Sequence, residues 1–134
     1  MTGRVFLDTN VAIYTIDKAG PKRERARVLL GNDPIVSVQV VNEAVNVCLK
    51  KLGKTREEAY RFGERIMSCC DTAGIDRLDV ETAFRISVQY ALSHWDSLII
   101  AVAVRQGCEV VYSEDMQHNL QVGPGTRVIN PFVP

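Results

Sequence analysis

The chain has 134 residues, of which 46% are hydrophobic and 24% charged, and its formal net charge at pH 7 is zero. This length matches one domain over residues 1–134, and the high apolar fraction without net charge excludes a chain that is disordered throughout. The longest apolar run, residues 98–104, is far shorter than the ~20 residues that cross a bilayer, so we expect no transmembrane helix.

Short apolar runs rich in β-favouring residues alternate with stretches of helical periodicity. In chain order the predicted elements are a strand at 4–7, helices at 10–17 and 22–30, a strand at 35–38, helices at 39–52 and 55–70, a strand at 74–76, helices at 79–92 and 96–106, and strands at 109–113 and 127–130. Thr55, with Glu58 three residues later, has the spacing of a capping box, and Asp96 is the expected N-cap of its helix. The alternation predicts an α/β fold, a parallel sheet covered by helices on both faces.

Four carboxylates fall at corresponding ends of these elements. Asp8 ends the first strand, and Asp115 lies just past the strand at 109–113. Glu43 lies about one turn into the helix after the second strand, and Asp96 opens the helix that precedes the strand at 109–113. Because helices run antiparallel to the strands of a parallel sheet, helix starts and strand ends share one edge, where open α/β folds place their ligand crevices. We therefore expect the four carboxylates to converge there.

Each of these acids also has a structural explanation when taken singly. Asp96 fits a helix cap, Asp8 and Asp115 fit loop starts, and Glu43 fits an exposed helix position, although it borders an apolar face and then needs a partner. Four acids together, without matching Lys or Arg in the same segments, would repel one another. A hard Mg²⁺ or Mn²⁺ ion removes that repulsion, and such ions can deprotonate a water and stabilise the leaving oxygen of a phosphodiester. The sequence contains no competing nucleophile triad and no phosphate-binding glycine loop.

The cysteines and histidines do not suggest a zinc site. None of the four cysteines stands in a C-x-x-C pair, and neither histidine lies near one at ligand spacing. Cys48 and Cys108 fall in apolar stretches and are expected in the core, while the adjacent Cys69 and Cys70 are expected to pack. With no apolar segment of a secretory signal at the start of the sequence, we expect reduced thiols and a cytoplasmic protein.

Basic residues are concentrated in the first half of the chain, in two clusters. These are Lys22, Arg23, Arg25 and Arg27, and then Lys50, Lys51, Lys54 and Arg56. They are either two solvated helix faces or, if both lie on one side of the molecule, a flank that binds phosphates. The neutral total argues against strong non-specific binding of nucleic acid.

Four segments, taken in order, resemble the motifs of PIN-domain ribonucleases, most closely those of the VapC-like toxins of toxin–antitoxin pairs. The segments are Leu7-Asp8-Thr9-Asn10, Ser37-Val38-Gln39-Val40-Val41-Asn42-Glu43, His94-Trp95-Asp96-Ser97-Leu98-Ile99-Ile100-Ala101 and Tyr112-Ser113-Glu114-Asp115. Each motif alone is weak, and the ordered set is specific. The resemblance covers the whole chain, including the ending at residues 128–132.

This resemblance implies a three-layer α/β/α PIN-like fold, with a central parallel sheet of four to five short strands, and a Mg²⁺- or Mn²⁺-dependent endoribonuclease. By position, the catalytic and metal-binding acids would be Asp8, Glu43, Asp96 and Asp115. Asn10 and Ser113 match positions whose polar side chains support the metal or its water. Many members carry a further acid two residues after the last one, where this chain has Gln117. We expect Trp95, before the third acid, to pack against its neighbours, with stacking on an RNA base as the alternative.

The family also implies partners. A VapC-like toxin would form a homodimer and bind a cognate antitoxin whose basic segment blocks the site. The amphipathic helices at 22–30 and 55–70 are the expected surfaces for such pairing.

Two other functions stay open at this point. A catalytically idle PIN-like module that binds RNA or protein is favoured by Gln117 and by the neutral charge. A phosphatase or phospho-receiver with Asp8 as nucleophile is disfavoured, because haloacid-dehalogenase-type phosphatases begin with D-x-D and this chain has Asp8-Thr9-Asn10.

Overall fold

The computed structural model describes residues 3–134. Its elements in chain order are β1 (Arg4–Leu7), α1 (Thr9–Tyr14), α2 (Pro21–Leu30), β2 (Ile35–Ser37), α3 (Val38–Lys50), α4 (Arg56–Cys69), β3 (Asp71–Ala73), α5 (Arg77–Tyr90), α6 (His94–Arg105), β4 (Cys108–Tyr112), β5 (Gln121–Val122) and β6 (Thr126–Ile129). Thr55 and Glu58 form both hydrogen bonds of the predicted capping box at the start of α4.

The strands form one sheet in the order β3-β2-β1-β4-β6-β5. Every neighbouring pair is parallel except β5 and β6, which are antiparallel. The α/β class with a central, mostly parallel sheet flanked by helices is therefore confirmed. Because β1, β2 and β4 point the same way, the segments that follow them leave the sheet at one edge.

The middle of the sheet is buried on both faces, as is typical of parallel sheets. Phe6 and Leu7 of β1 and Val111 of β4 have no exposed surface. Helix α6 is buried along residues 97–103 and lies in the core. Cys48 and Cys108 are core residues as predicted. Both faces of the central strands are therefore shielded from solvent.

The predicted strand at 74–76 is wrong. The third strand is β3, three residues earlier, and it pairs in parallel with β2, with Asp71 aligned with Ile35. Asp76 instead caps α5, where it and Asp79 form a capping box. The pairing partner, rather than local propensity, places this strand, because two of its three residues, Asp71 and Ala73, are of types depleted in strands.

The sheet has six strands rather than the four to five expected. The hairpin strand β5 was not predicted; it turns back onto β6 through Gly123, whose φ of 63° is in the left-handed region that glycine adopts readily. The inner faces of α2 and α4, the helices expected to offer surfaces for pairing, are buried in the chain's own core. Their buried residues are Ala26, Leu29 and Leu30, and Ala59, Phe62, Gly63 and Ile66.

Among residues 3–134, no helix combines the length and the apolar character that a membrane-spanning segment needs.

Candidate functional site

A cleft of about 610 Å³ opens at the sheet edge where β1 and β4 end. Its lining residues are Asp8, Thr9, Asn10, Ile13, Tyr14, Asp17, Glu43, Asn46, Val47, Lys51, Leu52, Asp96, Glu114 and Asp115. The structure therefore brings all four predicted carboxylates to one cleft, together with the predicted Asn10. We call this region the acid cleft.

Asp8 is the most deeply placed of these acids, with only 5% of the residue exposed. It ends β1 and caps α1, so that Oδ1 accepts a hydrogen bond of 2.7 Å from the backbone N–H of Thr9. Oδ2 accepts hydrogen bonds from Ser113 Oγ at 2.7 Å and from Asn10 Nδ2 at 3.2 Å. The pKa of Asp8 is raised to about 6, mainly by burial. The hydrogen bonds from Ser113 and Thr9 lower this pKa, and the charges of Asp96 and Glu43 raise it.

Asn10 joins two of the acids. Its Nδ2 donates to Oδ2 of Asp8 and, at 3.1 Å, to Oδ2 of Asp115, while its Oδ1 accepts from the backbone N–H of Glu114. The buried Ser113 holds the same loop, since its Oγ accepts from the backbone N–H groups of Asp115 and Met116. These contacts give Asn10 and Ser113 the supporting position that the sequence assigned to them.

Glu43 is held by two residues that the sequence analysis missed. Thr9 Oγ1 donates to Glu43 Oε1 at 2.6 Å, and Gln39 Nε2 donates to Glu43 Oε2 at 3.2 Å. The same Gln39 Nε2 donates to the backbone carbonyl of Trp95 at 3.1 Å. Because both partners are acceptors, the orientation of the Gln39 amide is fixed. Its place four residues before Glu43, on one face of α3, was a readable signal.

The prediction that Asp96 is an N-cap is wrong. The cap is Ser93, whose Oγ accepts from the backbone N–H of Asp96, and α6 begins at His94. Asp96 is the third residue of the helix, so its carboxylate is not required as a cap. Burial raises the pKa of Asp96; hydrogen bonding with Ser93 lowers it, and the charges of Asp115 and Glu43 raise it.

The four acids have no cationic partner. Within residues 3–134 the ion pairs join other carboxylates, namely Arg4–Asp71, Lys22–Glu114, Arg77–Glu81 and Arg105–Asp79. Glu114, also in the cleft, is neutralised by Lys22 and accepts a hydrogen bond from Tyr14. An unbalanced set of oxygen donors suits a hard divalent cation.

The expected cage of four ligands is not closed around one point. No three Asp, Glu, His or Cys side chains in the described part of the chain lie close enough together to bind one ion. Hydrogen bonds from Thr9, Asn10 and Gln39 hold the carboxylates instead. Mg²⁺ needs fewer protein ligands than such a cage, because it keeps several waters and is commonly bound by one or two carboxylates. Asp8 and Asp115, joined by Asn10, fit that requirement.

The two basic clusters differ in their surroundings. In α2, Lys22 pairs with Glu114, and Arg25 and Arg27 donate to backbone carbonyls of Pro131 and Thr15. The cluster between α3 and α4 has no salt bridge in the range that the structure covers. Lys51 lines the acid cleft, and the residues that line a second cavity of about 160 Å³ include Lys54, Arg61 and Arg65.

Trp95 does not pack as expected. It is 61% exposed, beside the half-buried Asp96.

A family model described as the PIN domain matches residues 5–120 of the chain. A search of curated proteins found no match.

Several solved structures have the same fold. A toxin–antitoxin complex from Klebsiella pneumoniae superposes with a TM-score of 0.70 at 20% identity, covering 96% of this chain and 98% of that one. DNA-bound VapBC from Salmonella typhimurium gives 0.68 at 21%, covering 95% and 97%. The sarcin–ricin loop cleaving toxin VapC20 of Mycobacterium tuberculosis gives 0.68 at 18%, covering 83% and 89%. At these identities the likeness establishes a shared fold.

Proposed function

The chain belongs to the PIN-domain family, and from this premise we propose that it is a Mg²⁺- or Mn²⁺-dependent endoribonuclease and the toxin of a toxin–antitoxin pair. One observation carries the proposal: Asp8, Glu43, Asp96 and Asp115, which are distant in sequence, line one cleft and form no salt bridge within the described residues. For the buried Asp8, a charge without a cationic partner is costly to the fold. A hard dication would balance the four carboxylates.

The donor set fits such an ion, since every donor offered by these side chains is an oxygen. Asp8 and Asp115 would hold it, with Glu43 and Asp96 as further ligands directly or through water. When bound, the ion supplies charge stabilisation to a phosphodiester and lowers the pKa of a water. Ser113 and the Thr9 N–H fix both oxygens of Asp8, while Thr9 and Gln39 fix those of Glu43. The acids are therefore oriented before substrate arrives.

RNA would be held through its phosphates by the cluster between α3 and α4, which forms no salt bridge within the described residues although Glu58 lies near Lys54, rather than by the engaged residues of α2. Lys51 reaches the acid cleft, so the backbone can pass from this cluster to the carboxylates. Contacts of this kind position the strand and make its affinity salt-dependent.

We also propose an antitoxin partner and a homodimer. The neighbouring structures include a toxin–antitoxin complex from Klebsiella pneumoniae and VapBC from Salmonella typhimurium. Four cleft carboxylates that form no salt bridge within residues 3–134 suit a basic segment of such a partner. For pairing, α2 and α4 retain exposed apolar residues on their outer faces, which are Val28, Tyr60 and Met67.

The test is cleavage of RNA by the purified protein, with Mg²⁺ or with a chelator, followed by sequencing of the cut ends. We expect cleavage only with Mg²⁺, and a loss of more than about 100-fold in Asp8→Asn, beyond the 10–100-fold typical when a residue behind a metal ligand is lost. Asp71→Asn is the control, since Asp71 is exposed and pairs with Arg4 outside the cleft. Equal cleavage by Asp8→Asn would contradict the assignment.

The second candidate is a catalytically idle module that binds RNA or protein. The absence of a three-ligand cluster in the described residues favours it. RNA binding without Mg²⁺-dependent cleavage, at any protein concentration, would support this alternative.

A further inference from the structure

Three aromatic rings lie together on the surface, where α5 meets the start of α6. The rings of His94 and Trp95 have centroids 5.2 Å apart at 66°, and those of Phe84 and His94 are 5.7 Å apart at 36°. Trp95 is 61% exposed and Phe84 is 55% exposed, and His94 is exposed as well. We call these three residues the aromatic platform. Phe is among the residue types most often buried and Trp is highly buried on average, so their exposure side by side marks a candidate interaction surface.

The platform is connected to the acid cleft by a single side chain. The Gln39 amide donates both to the carbonyl of Trp95 and to the carboxylate of Glu43. Trp95 also directly precedes Asp96, so that one peptide bond separates the platform from a candidate ligand of the metal. Gln39 is itself only 8% exposed, and its Oε1 has no hydrogen-bond donor within the described residues. A ligand bound beside it, or a water ordered by that ligand, could donate to this oxygen.

We propose that the aromatic platform stacks an unpaired base of the RNA strand whose backbone crosses the acid cleft. This inference rests on the proposed function and adds to it a surface that binds one base beside the candidate metal site. Aromatic side chains bind unpaired bases by their faces with little dependence on sequence. The rings would therefore fix the register of the strand, and the acids would select the phosphodiester next to the stacked base.

A second copy of the chain is a poorer occupant for this surface. Three aromatic side chains at this exposure offer roughly 300–400 Å² between them. A stable protein interface buries about 800 Å² on each partner. A nucleobase needs no more area than one or two ring faces, and it arrives with the phosphates that the neighbouring cleft and basic cluster attract.

The experiment uses the intrinsic fluorescence of Trp95, which is the only tryptophan in the chain. The wild-type protein, with a chelator present to prevent cleavage, is titrated with an eight-nucleotide oligoadenylate and separately with an abasic oligomer of the same backbone. We expect saturable quenching of the tryptophan emission by the oligoadenylate and none by the abasic oligomer. Absence of quenching while labelled oligoadenylate binds would overturn the proposal.

Variants identify the rings. Measured by anisotropy of labelled RNA, Trp95→Ala should weaken binding by about tenfold, which is within the range known for one stacked base, and Trp95→Phe should restore most of it. Val133→Ala removes an exposed apolar side chain outside the platform and should leave binding unchanged. Equal affinity of wild type and Trp95→Ala would contradict the platform. A blue shift of the emission with protein concentration, together with a doubled mass, would show that a second copy covers it.

These outcomes are separate from the test of the nuclease. The titration requires no cleavage, so quenching by bases without Mg²⁺-dependent cleavage would support the platform and contradict the enzyme. Cleavage without quenching would do the reverse.

Discussion

Two buried aspartates show how differently one residue type is used in this molecule. Asp8 is 5% exposed and Asp79 is 2% exposed. Asp79 accepts hydrogen bonds of 2.7 and 2.9 Å from Nε and Nη2 of Arg105, and it completes the capping box of α5 with Asp76. Asp8 accepts only neutral donors, from Thr9, Asn10 and Ser113.

The pKa values of the two groups diverge accordingly. Burial would raise the pKa of Asp79, but the bonds from Arg105 and from the backbone of Asp76 outweigh it and hold that pKa below its usual value. For Asp8 burial prevails, and its pKa rises to about 6. Asp79, whose charge is balanced by Arg105, holds α5 against α6. Asp8, whose charge has no cationic partner, weakens the fold, and such perturbed groups are typical of functional sites. Burial does not distinguish Asp8 from Asp79, whereas the charge of their hydrogen-bond partners does.

The largest effect on stability is expected at Asp79. Asp79→Ala removes a cap and the charged hydrogen bonds from Arg105, which together cost about 2–4 kcal/mol, less than in a fully buried pair because Arg105 is exposed to solvent. The melting temperature, followed by circular dichroism, should fall by roughly 6–16 °C. Glu81→Ala, which breaks the exposed pair with Arg77, is the control and should change it by no more than about 2 °C. A small shift in Asp79→Ala would mean that the Arg105 contact contributes little.

Asp8, which has no cationic partner, should make the free energy of unfolding depend on pH. Since the pKa of Asp8 is about 6 in the folded protein and 3.8 in its unperturbed state, the folded state binds more protons between these values. Stability should therefore fall as pH rises from 4 to 6, by about 3 kcal/mol from this group alone.

Urea unfolding of the metal-free protein at several pH values measures that dependence. Asp8→Asn should flatten it, and Asp71→Asn should retain it. Parallel curves for wild type and Asp8→Asn would show that Asp8 is not held at a raised pKa.

Metal addition should reverse the destabilisation. An ion that binds only the folded state adds about 2.7 kcal/mol at a concentration 100 times its dissociation constant. We expect Mn²⁺ to raise the melting temperature of wild type and not of Asp8→Asn. The rise should be smaller at pH 5 than at pH 7.5, because protons compete for Asp8 below its pKa of about 6. An equal rise in both proteins would place the ion elsewhere.

The smallest effect is expected from the basic residues. Lys54→Glu should slow RNA cleavage by roughly tenfold at low salt and reduce the salt dependence of binding by about one phosphate contact. Arg25→Glu is matched in charge, but Arg25 is engaged with the carbonyl of Pro131. It should affect cleavage less. If the two variants were equally impaired, the division between the basic clusters would be wrong.

Much of the fold was readable because its signals are local. The capping box at Thr55 depends on residues three apart, and the first strand depends on a single apolar run that ends at Asp8. The gathering of the acids was also predictable, because parallel strands send their ends to one edge. The features missed were decided by partners that a sequence does not name. Asp71 enters a strand because β2 offers an edge, with Asp71 N–H bonded to the carbonyl of Pro34.

At the site, residue types were readable and contacts were not. Ser93 and Asp96 both suit an N-cap, and the choice of Ser93 is what leaves Asp96 available for the acid cleft. The spacing of Gln39 and Glu43 on α3 was readable, but the bond from Gln39 to the carbonyl of Trp95 was not, because it depends on α3 meeting α6. The exposure of Trp95 was not predicted, although the residues beside it at 93–97 are polar, because packing against neighbouring elements decides whether a tryptophan is covered.

The most direct test of the central claim, that these carboxylates form a site for a hard dication, is a crystal structure of the protein grown with Mn²⁺. We predict an anomalous-scattering peak in the acid cleft, at about 2.0–2.2 Å from carboxylate oxygens that include Asp8 and at least one of Glu43, Asp96 and Asp115. A cleft without that peak at saturating Mn²⁺, or a peak at other residues only, would contradict the account.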